Sequence, residues 1–201
     1  MIIEHRGISP SIDPEAYVAS TATVVGDVRI SAGARILHGA VLTSENGTIT
    51  IGSNTVIMEN ALVRARANHD VEIGHSVMVG PHAHVNGALI DDEAFIATGA
   101  SLFPGSHVEA GAEVRINAVV QINTRVPSGE VVPIGWVAVG DPAQLFSPDR
   151  HDEIWAIQRE LDFTGTVYGT AAGTSMREIM REQSDFYGTH RDDHPVANPG
   201  P

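Results

Sequence analysis

Ala88-Leu89-Ile90, Ala94-Phe95-Ile96, Ala100-Ser101-Leu102, Ser106-His107-Val108, Ala112-Glu113-Val114, Ala118-Val119-Val120 and Thr124-Arg125-Val126 follow one another at intervals of six residues. Each triplet holds a small residue and, two places later, a branched aliphatic. A period of six fits neither the 3.6 of an α-helix nor the simple alternation of a free strand. It fits a short strand followed by a corner, three of which close one triangular coil around a shared core. The same phase runs upstream through Ala16/Val18, Ala22/Val24, Val28/Ile30, Ala34/Ile36 and Ala40/Leu42. It resumes after an insertion at Ile49/Ile51, Thr55/Ile57 and Ala61/Val63, and after a second at Val71/Ile73, Val77/Val79 and Ala83/Val85. A five-residue step joins Val85 to Ile90, and Gly26, Gly52, Gly74 and Gly80 are expected where the chain bends. The expected fold is mainly β, a parallel hexapeptide-repeat solenoid over residues 1–146 with roughly six coils.

Composition agrees. Aromatic residues make up only 5% of the 201-residue chain against 42% hydrophobic overall, so the core is built from many small branched side chains. After Pro142 the pattern turns helical. Ser147-Pro148-Asp149 reads as a helix start, with Ile154, Ile157 and Leu161, helped by Trp155, as its apolar stripe. Ser175-Met176-Arg177-Glu178 has capping-box form. Residues 147–188 are therefore expected as α-helices packed on the solenoid, and 189–201 as a disordered tail.

Charge narrows the partners. Twelve basic residues, all arginine, face 25 acidic ones, a net charge of −13, which argues against nucleic acid or an acidic membrane surface as partner. The absence of lysine excludes Schiff-base chemistry, and the absence of cysteine excludes disulfides and thiol nucleophiles. The start lacks the apolar run of a signal peptide and no stretch approaches a membrane span, so a cytoplasmic protein is expected.

Three stretches carry a resemblance. They are Gly39–Glu45 with Ile49–Asn60, then Val71–Gly87, then Val132-Pro133-Ile134-Gly135-Trp136-Val137-Ala138-Val139-Gly140-Asp141-Pro142-Ala143. Across residues 10–165 the chain resembles the gamma-class carbonic anhydrases. The resemblance implies a left-handed parallel β-helix with C-terminal helix, assembled as a homotrimer with a zinc site between subunits. The three histidines that hold zinc in the family correspond here to Arg64, Pro81 and Asn86. Thr43-Ser44-Glu45 stands for the family's Arg-Gly-Asp, and Met58 for its glutamine. Zinc-dependent CO2 hydration at that position is therefore not expected, since arginine and proline offer no ligand and asparagine a weak one.

The repeat itself places side chains. Val63 and Val85 are three sides apart, so they stack about 4.8 Å apart on adjacent rungs and Arg64 neighbours Asn86. Ile36, Ile57 and Val79 form another stack, with His38, Glu59 and His82 on one ridge. The expected substrate pocket joins Arg64, Asn86 and Arg66 of one subunit to Glu59, His82 and His38 of the next. There Arg64 would fork onto a small carboxylate or acyl anion, and His82, oriented by Glu59, would act as a base. An alternative for Arg64 is a structural ion pair with Glu59. No cofactor is expected. An alternative is a divalent metal on His82 and His84 with His75 or His69. Another is coenzyme A, because hexapeptide solenoids resemble acyltransferases, with His69 as base of an acyl-CoA transferase or thioesterase. A non-catalytic trimeric scaffold is the third possibility. His5, His107, His151, His190 and His194 show no cluster in the sequence.

Overall fold

The computed structural model describes residues 1–197, and residues 198–201 lie outside that range. The chain winds as a left-handed parallel β-helix whose coils stack three faces. One face has ten strands, of which the outer two are antiparallel additions, leaving eight parallel rungs from Ile2–Glu4 to Val137–Val139. The other faces carry seven strands each, so the solenoid has about eight turns rather than six. The first and last turns escape the sequence count because Ile2–Glu4 and Val137–Val139 break the small–x–aliphatic signature.

Stacking follows the period. Val63 lies between Leu42 and Val85, and Ile57 between Ile36 and Val79. All six are fully buried. The corners use two devices. Asn54, Asn60, Asn117 and Asn123 adopt left-handed φ near +55°, a conformation asparagine tolerates, and their amides fill the space over Gly33, Gly39, Gly99 and Gly105. Gly52, Gly74 and Gly80 have ordinary φ. They are glycine because a Cβ would overlap the backbone or side chain of the next rung.

Both insertions serve one face. They lengthen Val41–Glu45 and Leu62–Arg66 to five residues each, paired throughout from Val41↔Leu62 to Glu45↔Arg66. This shelf projects past the prism and carries Glu45, Arg64 and Arg66.

Helix α1 (His151–Gln158) begins three residues after the expected start, because Ser147 to Arg150 forms a turn, and its N-cap Arg150 supplies no side-chain bond. It buries Ile154 against Val139 and Phe146, with Ile157 and Leu161 alongside, whereas Trp155 is 51% exposed. Helix α2 (Phe163–Tyr168) is capped by Asp162, which accepts from the Gly165 N–H at 3.1 Å. Helix α3 (Met176–Tyr187) has the expected capping box of Ser175 and Glu178 and buries Ile179. The tail departs from the disorder expected from residue 189. A 3-10 turn, Gly188–Asp192, leads to a strand, His194–Val196, paired antiparallel with Ile2–Glu4. Having little to bury, it is held by backbone pairing and polar contacts, and it covers an otherwise open sheet edge.

Candidate functional site

On the shelf, Arg64 pairs in register with Asn86 of the next rung, the adjacency that the period of six requires. Helices α2 and α3 stand over this spot and line an open cavity of about 490 Å³. Its polar lining is Arg64, Arg66, His84, Asn86, Gln183 and Ser184, and its aromatic lining is Phe103, Phe163, Tyr168 and Tyr187. Four of the chain's ten aromatic residues (five Phe, two Trp, three Tyr) thus meet in one place. Such concentration in an aromatic-poor protein gives this spot an apolar wall beside its polar groups.

The two arginines differ. Arg66 is committed to structure: it donates to the Val167 carbonyl at 2.7 Å and to Gln183 Oε1 at 2.8 Å, tying α2 and α3 to the shelf. Arg64 lies with its guanidinium carbon 5.8 Å from the Tyr187 ring centre, and its Nε is buried with no hydrogen-bond partner. Asn86, only 6% exposed, has a buried Oδ1 likewise unpartnered. Burying a donor and an acceptor unsatisfied side by side is costly, and a ligand bonding both removes the cost. His84, edge-on to Phe103 at 6.2 Å, has its pKa lowered first by burial and then by the Arg64 charge, so it is a neutral base.

The remaining candidates lie elsewhere. His38 shares a hydrogen bond with Thr21 Oγ1 at 2.8 Å. His82 sits at a corner with φ of 57° and is joined to Glu59 only through its backbone N–H, 3.1 Å from the Glu59 carbonyl. His82, Glu59 and His38 therefore do not meet Arg64 within one chain. Nor do His82, His84, His75 and His69 form a cluster, because His82 lies in the Pro81–His82 corner whereas His84 begins the next strand, His84–Asn86. His75 is engaged by Ser53 N–H and Oγ at 3.0 and 2.7 Å. His69, its pKa lowered by burial and then by Arg66, lies near the Thr166 backbone of α2. Sequence reasoning missed the roof, and with it His84 as pocket base and Tyr187 as its wall. The sequence signal was the aromatic scarcity itself.

No family model matches the chain. Over 91 residues (42% of this chain and 33% of the relative) it is 40% identical to gamma carbonic anhydrase 1, mitochondrial, of Arabidopsis thaliana. Over 66 residues (32% and 9%) it is 41% identical to the carboxysome assembly protein CcmM of Synechocystis. It therefore spans about a third or less of the length of these curated relatives. Among solved structures, a candidate acetyltransferase from Bacillus cereus superposes with a TM-score of 0.55 over 80% of this chain and 92% of that one, at 19% identity, a likeness of fold alone. Fold and repeat together define a hexapeptide-repeat protein of the left-handed β-helix class. Within that class, the matched 91-residue stretch is similar to the gamma carbonic anhydrases. Among the described residues no helix is long and apolar enough to cross a membrane.

Proposed function

We propose that this protein binds a small organic carboxylate in the Arg64–Asn86 pocket, inside one chain and beneath its own α2 and α3. The observation that carries this reading is the pair of buried, unpartnered atoms, Arg64 Nε and Asn86 Oδ1, on adjacent rungs. Arg64 needs an acceptor and Asn86 a donor. A carboxylate bearing a neighbouring hydroxyl or N–H supplies both, and the aromatic walls favour an apolar substituent. His84, neutral and in the same cavity, is placed to accept a proton from such a ligand in place of the ridge residue His82. The zinc that the family resemblance implies does not suit these residues. Arg64 is a permanent cation whose Nε lies buried beside Asn86, and Pro81 has no donor atom, so no step is routed through a metal here.

We propose further that the protein assembles as a homotrimer. Sedimentation giving a mass of about 21.3 kDa would exclude that assembly without touching the pocket, which needs only one chain. The test of the pocket is a thermal-shift series with lactate, mandelate, benzoate, acetyl-CoA and phosphate on the wild type and Arg64→Ala. The expected result is stabilisation by the carboxylates, greatest with mandelate, abolished by Arg64→Ala. Such an interaction is worth about 1.5–3 kcal/mol. Stabilisation by acetyl-CoA alone would instead favour an acyltransferase, and no shift with any ligand would favour a scaffold.

A further inference from the structure

A second polar cluster lies beside the pocket. His5 follows the first strand, Glu45 ends the shelf strand Val41–Glu45, and His190 sits in the 3-10 turn. One ligand atom from each of the three lies within 4.8 Å of the others. We propose that His5, Glu45 and His190 bind a divalent transition-metal ion, with zinc as its representative, at a position unrelated to Arg64, Pro81 and Asn86.

Five observations support this assignment. Asp193 holds both imidazoles at Nδ1: Oδ1 lies 2.6 Å from His5 Nδ1 and Oδ2 2.8 Å from His190 Nδ1. A carboxylate on one ring nitrogen fixes the tautomer and presents the other nitrogen as ligand, the usual support of metal-binding histidines. The rings stack 4.4 Å apart, 22° from parallel. His5 is 3% exposed, yet its Nε2 is buried with no hydrogen-bond partner. A purely hydrogen-bonded clamp accounts for every other contact of the cluster and leaves this nitrogen unexplained. His190 Nε2 lies 3.1 Å from both oxygens of Glu45. Ligands roughly 2.0–2.1 Å from a tetrahedral ion stand about 3.3 Å apart, so this spacing already suits a shared metal. Glu45, 2% exposed, is itself oriented by the Thr43 hydroxyl, which donates to Oε1 at 2.8 Å.

The charges agree. As metal ligands the two imidazoles carry no charge, so the two carboxylates, Glu45 and Asp193, balance a divalent cation. Arg66 is in register with Glu45 but turns its guanidinium to Val167 and Gln183, and Arg6 turns to Thr189 and the Phe186 ring. Neither neutralises the cluster. Two imidazoles and a carboxylate are a donor set for zinc and its first-row neighbours rather than for calcium or magnesium. The ion would pin the end of the chain to its start. It would also steady Tyr187, whose ring runs parallel to that of His190 at 6.3 Å and walls the Arg64 pocket.

The experiment uses the full, untagged chain stripped of metal, titrated with zinc chloride by calorimetry and with cobalt(II) by visible absorption. The expected result is one ion per chain, a rise in thermal stability, and cobalt bands of a nitrogen–oxygen site. Glu45→Gln and His190→Ala should abolish the site, and Asp193→Asn, which alters only the support, should weaken it by about 10–100-fold. His82→Ala should change nothing. Because His5→Ala removes a buried ring and so disturbs the fold itself, His190→Ala, at a half-buried position, carries the decision. Zinc bound with the same stoichiometry and affinity in His190→Ala and Glu45→Gln, or no zinc bound by the wild type at micromolar concentration, would overturn the proposal. Neither outcome bears on carboxylate binding at Arg64.

Discussion

Leu42, Val63, Val85 and Leu102 stand on four successive rungs, each fully buried, and every coil repeats that arrangement. The twelve residues of α3 bury one side chain, Ile179, and the segment is held otherwise by single polar contacts, chiefly from Arg66, Asp193 and His190. One region is stabilised by many equivalent apolar contacts and the other by a few specific ones. Both polar clusters form where the two regions meet, because only there does an aperiodic segment lay unlike side chains over the regular shelf. Rigidity comes from the repeat, and chemical individuality from the segment that breaks it.

Removing core from the prism should have the largest effect. Ile57→Ala, at a fully buried position between Ile36 and Val79, should cost about 2–5 kcal/mol and lower the denaturant midpoint for the whole chain. A local loss confined to neighbouring coils would show that the rungs unfold separately. Gly87→Ala sits at the junction. Its φ is +55° and the new Cβ would meet His69 Cβ at 2.6 Å, so it should cost about 1–3 kcal/mol and disturb α2 through His69. Arg66→Ala should sharpen the contrast. Hydrogen exchange should accelerate through 163–187 while the solenoid midpoint moves little, since the change removes two bonds of about 1.5–3 kcal/mol each from the segment alone. Unchanged exchange there would mean that apolar packing holds the roof.

The smallest effect is on pH dependence. His84 has a folded-state pKa below its ordinary 6.5, from burial first and Arg64 second. Between those two values the unfolded chain binds more protons than the folded one, so this group's stability contribution is fully present above pH 6.5 and falls as pH drops through that window. Urea titrations at several pH values should show a shallower acid-side decline for His84→Asn than for the wild type. An identical decline would place His84 in a more solvated position than the roof allows.

The solenoid was legible because a fixed period converts residue number into position. Counting sides alone put Arg64 beside Asn86 and Ile57 between Ile36 and Val79, as the register has them. The roof was not legible, because α2 and α3 are placed by bonds such as Arg66 to Gln183, 117 residues apart, which no local pattern encodes. The same holds for His5 and Asp193, 188 residues apart, which meet through the pairing of the last described strand with the first. His82 and His84 misled for the opposite reason. Their closeness in sequence spans a corner, and corners separate what strands would align.

The most direct test of the carboxylate pocket compares two arginines by calorimetric titration with mandelate and benzoate. Arg125 is saturated, bonded to Glu109 at 2.9 Å and Asp141 at 2.6 Å, whereas Arg64 has a buried nitrogen without a partner. The expected outcome is binding by the wild type and by Arg125→Ala, lost in Arg64→Ala. Equal heats in all three proteins, or none in the wild type, would contradict the account.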